Sequence, residues 1–484
     1  MKPYRLLLSL TVFLALWWGL ELERPETGAM AAVAGLMACL WLTEALPLAV
    51  TALLPLVLFP LLGIAATKAV AAEYMNSTVF LLLGGFLIAQ ALERWQLHRR
   101  IALGVLGVFG GRPVAVLTGF VCATAFLSMW ISNTASTLVM LPIALAVLSR
   151  FEALLPSEQA RRFAVALLLS LAYAASMGGV MSLVGSPPNL VFARLYQEVS
   201  GVEVDFLRWM LVGLPVGLTL LTVLVIYLYG IYLRRLDAAV DLSAVVAAER
   251  TALGPMSREE RSVAAVFALT ALLWLTRKGI QVGEVHLPGW QSWVPHGRLL
   301  DDGTVAIAMA VLLFLLPARQ ADGSRTTLLD AGVFARLPWG VVILFGGGFA
   351  LASGFVDSGL SAWLAGRLGE FAGIGRTGAL FLVAAGMTFL TELTSNTATT
   401  QLVLPLLASL AEVLRLDPVW LMLPAALSAS CAFMFPVATP PNAIVFASGR
   451  LRIGDMVKTG LLLNGVGIVV VVGVTTVLIP LLFG

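Results

Sequence analysis

Long apolar runs separated by short polar joints dominate the chain, and their period is helical rather than alternating. About 20 apolar residues cross a bilayer as a helix. The runs predict eleven crossings and two hairpins: 6–20, 28–46, 48–66, 78–97, a hairpin 113–149, 163–198, 206–233, 262–277, 303–317, 339–357, a hairpin 377–414, 419–449 and 459–483. Residues 113–149, 163–193 and 418–449 carry no charge at all. The reading is an all-α polytopic membrane protein, and the absence of period-two alternation excludes an outer-membrane barrel. The run after Lys2 and Arg5 resembles a secretory signal, but no convincing cleavage site follows it, so it is expected to stay as the first helix.

Polar residues inside these runs repeat. Ser132-Asn133-Thr134 returns as Ser395-Asn396-Thr397, and Gly84-Gly85-Phe86 returns as Gly347-Gly348-Phe349, both 263 residues later. Gly185-Ser186-Pro187-Pro188-Asn189 matches Ala438-Thr439-Pro440-Pro441-Asn442, now 253 apart. Three landmarks in one order mark a duplication. Five crossings separate the starts of the two copies, an odd number, so the copies are expected to be inverted. Hairpins do not change this count, because each enters and leaves on one face. Arg112 and Arg150 flank too few uncharged residues for two full crossings, which favours a re-entrant hairpin with its tip near the midplane. The expected division is 1–77, scaffold helices; 78–235, first repeat; 236–338, a cytoplasmic amphipathic connection and further helices; and 339–484, second repeat.

Irregular backbone at membrane depth survives only where protein buries it or where it lines a wet cavity. Ser, Asn and Thr cap helix starts, and Pro suits the first helical position because it lacks the amide left orphaned there. A helix–Ser-Asn-Thr–helix tip therefore presents carbonyls from the arriving helix, suited to sodium, and amides with a positive dipole end from the departing one, suited to an anion. The Gly-Ser-Pro-Pro and Ala-Thr-Pro-Pro breaks follow the same logic, with Ser186 expected to cap. A single Ser-Asn-Thr in a membrane helix usually bonds a neighbouring helix, and a single Pro-Pro is usually a kink. Both motifs twice, in order, point to a transporter site. Gly84 and Gly85 are expected to serve close packing. Glu392 and Glu44 are intramembrane carboxylates, each either functional or paired within the scaffold.

Composition narrows the class. Apolar residues make up 60% and charged ones 12%, against about 25% charged in soluble domains. A net charge of +3 spread over scattered arginines gives nucleic-acid binding no support. Cys39, Cys122 and Cys431 stand singly, so neither disulfides nor metal ligation is expected. No phosphate-binding Gly-Lys-Ser/Thr motif occurs, so ATP is not the expected energy source, and no organic cofactor is expected. Lys2 and Arg5 place the N-terminus in the cytoplasm and the C-terminus outside, most simply in a bacterial inner membrane. Arg94, Arg99, Arg100, Arg161, Arg162, Arg234, Arg235, Arg258, Arg261, Arg450, Arg452 and Lys458 then fall inside as well. No Lys or Arg neighbours the polar clusters in sequence, so helix dipoles and bound sodium would have to neutralise an anion.

At these motifs the chain resembles the divalent anion:sodium symporter family of dicarboxylate, citrate and sulfate carriers, over nearly its full length. Trp41-Leu42-Thr43-Glu44-Ala45-Leu46-Pro47, Thr391-Glu392-Leu393-Thr394-Ser395-Asn396-Thr397 and Ala438-Thr439-Pro440-Pro441-Asn442 carry the likeness. The resemblance implies a homodimer whose protomers have eleven spans, two re-entrant hairpins, a scaffold and an elevator-like transport domain. It implies two or more sodium ions, one on Ser128, Ser132, Asn133 and Gly185 and another on Thr391, Thr394, Asn396 and Ala438. It puts substrate on Asn133, Thr134, Ser186, Pro187, Asn396, Thr397, Thr439 and Pro440. Ser186 departs from the Thr common in dicarboxylate-type members. The leading expectation is sodium-coupled transport of a C4-dicarboxylate such as succinate, malate or fumarate, not enzymatic turnover. Citrate or sulfate transport, exchange without net sodium movement, and more remotely a channel or a pump subunit are the alternatives.

Overall fold

The computed structural model describes residues 3–19, 24–234, 236, 242–282, 285–320, 323–368 and 375–483. Lys2 and Arg235, used above for orientation, lie outside them. The described residues are overwhelmingly helical. Seven of their helices are each long and apolar enough to cross a membrane. Shorter apolar helices such as Pro3–Gly19, Asp302–Leu315 and Val419–Ser428 contribute to the remaining crossings, and Pro113–Ser128 and Arg376–Thr391 are the first arms of the two hairpins.

The duplication is visible element by element. Ser77–Arg94, Leu97–Leu106, Pro113–Ser128, Asn133–Leu154, Ser157–Val180, Pro187–Ser200 and Phe206–Leu228 recur in the same order as Trp339–Asp357, Leu360–Leu368, Arg376–Thr391, Asn396–Val413, Val419–Ser428, Pro440–Phe446 and Ile453–Leu482. Both hairpins form, each with its turn at Ser-Asn-Thr. Both long spans break at the proline pairs, with non-helical segments at 181–186 and 429–439.

Local chemistry sets the boundaries. The Asn76 side chain accepts from Val79 N at 3.1 Å, and Asp205 accepts from Arg208 N at 2.8 Å, each satisfying a first-turn amide. Ser257 and Glu260 form a reciprocal cap. The expected single span 48–66 is instead two short helices, Leu48–Thr51 and Leu54–Leu61. The Pro55 ring interrupts the hydrogen-bond ladder there, because it carries no amide to donate.

The uncharged run 163–180 is buried at every position and forms the axis of the molecule. Tyr173 on this axis donates to the Phe433 carbonyl at 2.8 Å, tying the first repeat to the break of the second. Gly84 packs as expected: a methyl group there would stand 2.5 Å from Ala306 Cβ. Gly85 does not, since its nearest neighbour for such a methyl is Val184 at 3.8 Å.

The polar connection is helical over Leu242–Leu253. It is held to Leu97–Leu106 by the Arg99–Glu249 pair and by Arg100–Glu260 at 3.0 Å. Arg161–Asp455 at 3.3 Å and Arg450–Glu152 join others of the arginines assigned to one face. Arg194 pairs with Glu73 at 3.5 Å, and Arg277 with Glu203 at 2.6 Å. Two short antiparallel ladders, Gly279–Val282 with Val285–Pro288 and Pro317–Arg319 with Arg325–Thr327, lie in connections and leave the helical architecture intact.

Candidate functional site

Each hairpin turn is built by a serine cap. Ser132 Oγ accepts from Ala135 N at 3.2 Å, and Ser395 Oγ accepts from Ala398 N at 3.5 Å. Asn133 and Asn396 are therefore the first helical residues rather than the caps, which frees their carboxamides for other partners. At the second break Thr439 Oγ caps Asn442 N at 3.3 Å. Ser186 does not cap, contrary to expectation. Its hydroxyl lies 3.3 Å from Ser430 Oγ of the other repeat.

The asparagines after the proline pairs bridge the breaks. Asn189 Nδ2 donates to the Gly179 and Ser182 carbonyls at 2.9 and 2.7 Å. Asn442 Nδ2 donates to the Ala432 and Phe435 carbonyls at 3.4 and 3.0 Å. Each pair of acceptors keeps the 253-residue offset. A side-chain amide thus replaces ladder bonds where the helix is interrupted.

Both turns and both breaks line one cavity of about 1260 Å³. Its wall includes Ser132, Asn133, Thr134, Gly185, Ser186 and Pro187 from the first repeat, and Thr394, Ser395, Asn396, Thr397, Ala438, Thr439 and Pro440 from the second. Ser128 and Thr391 are buried behind it.

Ser128 joins the first cluster closely. Its hydroxyl donates to the Ala175 carbonyl at 2.6 Å. One terminal position of the Asn133 carboxamide stands 2.6 Å from Ser128 Oγ, 3.2 Å from the Ala175 carbonyl and 3.3 Å from the Gly185 carbonyl. With nitrogen there, Asn133 donates to all three. With oxygen there, four oxygens converge, and a hard cation satisfies the set.

The second cluster is looser. Thr394 Oγ1 donates to the Leu390 carbonyl at 2.7 Å and lies 2.7 Å from Thr399 Oγ1. Thr391 Oγ1 bonds carbonyls of its own helix, Met387 at 2.9 Å and Thr388 at 3.1 Å. Asn396 Oδ1 is buried without a hydrogen-bond partner. Among the described residues no cluster of His, Cys, Asp and Glu suits a transition metal, whereas hydroxyl, carboxamide and carbonyl oxygens suit sodium.

Glu392 is buried and fully engaged. Its carboxylate accepts from the Phe433, Met434 and Phe435 amides at 2.7, 2.8 and 3.2 Å and from Asn464 Nδ2 at 2.7 Å. It holds the chain just before Ala438. The first repeat has Met129 at this place, and there Ser182 Oγ reaches the Met129 carbonyl and accepts from Gly185 N.

Glu44 is not a buried carboxylate. It ends helix Pro25–Thr43 in the left-handed conformation with φ 49°, exposed on the cavity wall. Sequence reasoning missed Arg5, Glu93 and Arg336, which line the same cavity. Arg5 donates to the Thr43 carbonyl at 2.7 Å, and Gln90 donates to Glu93 at 2.9 Å. Two arginines and two glutamates leave the described wall without net charge.

The family profile described as "Sodium:sulfate symporter transmembrane region" matches residues 5–484. The chain belongs to the divalent anion:sodium symporter family. A relative in Staphylococcus saprophyticus, a "Sodium-dependent dicarboxylate transporter SdcS", is 40% identical over 454 residues, covering 92% of this chain and 84% of the relative. A protein of the same description in Staphylococcus aureus (strain USA300) is 39% identical over 449 residues, with the same coverage. The crystal structure of the Alcanivorax borkumensis YdaH transporter shares the fold, with TM-score 0.59 at 16% identity over 84% of this chain and 85% of that one. Family members are transporters rather than enzymes.

Proposed function

We propose that this protein is a sodium-coupled secondary transporter of C4-dicarboxylates such as succinate, malate and fumarate. The observation that carries the reading is the Asn133 cluster, where the Asn133 carboxamide meets the Ser128 hydroxyl and the Ala175 and Gly185 carbonyls, joining a hairpin turn to a broken helix at one point. The name borne by the two staphylococcal relatives supports the substrate class.

In this reading one sodium ion sits on Ser128, Ser132, Asn133 and Gly185, and a second on Thr391, Thr394, Asn396 and Ala438. Substrate carboxylates meet Asn133, Thr134, Ser186 and Pro187 on one side and Asn396, Thr397, Thr439 and Pro440 on the other. Helix N-termini supply amides and a positive dipole end, and bound sodium supplies the remaining positive potential. Glu392 positions the chain before Ala438 through the amides it holds. Two or more sodium ions bind first and complete the anion site, and the loaded hairpins and broken helices then move against a scaffold as an elevator.

Segments 1–77, 78–235, 236–338 and 339–484 act as scaffold helices, first repeat, connection and second repeat. The protein works as a homodimer in a bacterial plasma membrane, N-terminus inside and C-terminus outside. The cavity, walled by Arg5 and Arg336, then opens to the cytoplasm.

Purified protein in vesicles tests this. Labelled succinate uptake should require inward-directed sodium, stop when choline replaces it, and yield to excess malate or fumarate more than to citrate or sulfate. Uptake unchanged in choline would overturn coupling. Dominant competition by sulfate or citrate would move the substrate class.

A further inference from the structure

The two repeats hold one pair of residues in two different ways. In the second repeat, Gly348 of helix Trp339–Asp357 lies against Gln401 of the second hairpin, so closely that a methyl group on Gly348 would overlap the Gln401 carboxamide carbon. Both residues are buried, and neither carboxamide atom of Gln401 has a hydrogen-bond partner. The positions 263 residues earlier are Gly85 and Leu138. These line the open cavity, Leu138 is 54% exposed, and a methyl on Gly85 would meet nothing nearer than 3.8 Å.

We propose that Gly85–Leu138 and Gly348–Gln401 are equivalent sliding contacts that close in alternation, and that Gln401 sets the balance between the two states. This rests on the transport reading. Inverted repeats exchange conformations when the cavity changes side. The pair now parted should then close, and the pair now closed should part and become wet. The only polar member is Gln401, and it is sealed without a partner in the state seen here. Burying an unpaired carboxamide disfavours this state, and wetting it favours the other. The leucine at the mirror position carries no such bias, so the two states are unequal by design of one side chain.

The test uses Val437→Cys, 80% exposed on the cavity wall, with Cys39, Cys122 and Cys431 replaced by alanine. Its labelling rate by a maleimide from the cavity side reports the population of this state. Gly348→Ala keeps the second contact from closing and should lower labelling about fivefold or more. Gly85→Ala keeps the first from closing and should raise it, as should Gln401→Leu, toward the rate of protein held wholly in this state. Adding Gln401→Ala to Gly348→Ala makes room for the methyl and should restore labelling, which a misfolded protein would not do. Equal or same-direction shifts from the two glycine variants would overturn the proposal. Sodium-dependent succinate binding, measured on the same samples, separates the outcomes. Its absence everywhere refutes the transport reading, and its presence with unmoved labelling refutes only the contacts.

Discussion

Asn133 and Asn396 occupy the same place in the two repeats yet have different company. One is clustered with Ser128, Ala175 and Gly185, while the other has a buried oxygen with no partner. Alanine at either position removes the side-chain oxygen or donor that faces the site without removing the serine cap. Sodium-driven succinate uptake should fall by at least about tenfold in each variant, on the scale of one lost buried polar contact. Detergent-solubilised protein should remain monodisperse. Normal uptake in both variants would remove these residues from the site. Glu392→Gln keeps the shape but turns an NH2 group toward backbone amides, a loss of about 1–3 kcal/mol. Thermal unfolding should begin lower, and half-maximal uptake should need more sodium, because the segment before Ala438 loosens. An unchanged sodium dependence would confine Glu392 to stability. Glu392 stood out in the sequence as a carboxylate in an apolar run, but its role did not. Its partners are mostly backbone amides of 433–435, and a backbone amide leaves no mark in the sequence.

Hairpins and broken helices were legible because their polar residues are the ones that helix ends require. The repeated order of Gly-Gly-Phe, Ser-Asn-Thr and Pro-Pro-Asn located all four. Exact bonding was less legible. Ser186 looked like a cap, yet its hydroxyl turns to Ser430 across the repeats, a distance in sequence that no local rule spans. The break-spanning role of Asn189 and Asn442 likewise depends on carbonyls freed by the interruption itself. Substitution by aspartate at either position preserves size but removes the donor. We expect Asn442→Asp to be as destabilising as Asn442→Leu, by about 1–3 kcal/mol, measured as loss of thermal stability in detergent. An aspartate variant as stable as the parent would show that the two carbonyls need no partner. The span expected over 48–66 is interrupted for a simpler reason: hydrophobicity does not report helical continuity, and Pro55 divides the run into two short helices.

Across the whole molecule, repeat parity anticipated that two hairpin turns would meet at one cavity, and they do. The cavity's charged wall was not anticipated, since Arg5 and Arg336 come together only through the packing of distant helices. If sodium completes the site, adding it should stabilise the protein against heat in proportion to occupancy. About 2.7 kcal/mol is expected at a hundredfold excess over the dissociation constant. Potassium at equal ionic strength should give much less, and succinate should add protection only when sodium is present. Protection by succinate alone would mean that protein groups suffice to hold the anion. The balanced wall of Arg5, Arg336, Glu44 and Glu93 has an electrical consequence. With no net fixed charge there, any current through the cycle must be carried by cargo. A doubly negative guest with two sodium ions crosses silently, indifferent to voltage. Each further sodium ion lets the membrane potential contribute about 2.3 kcal/mol per 100 mV, so a current measurement on a supported membrane counts the ions directly.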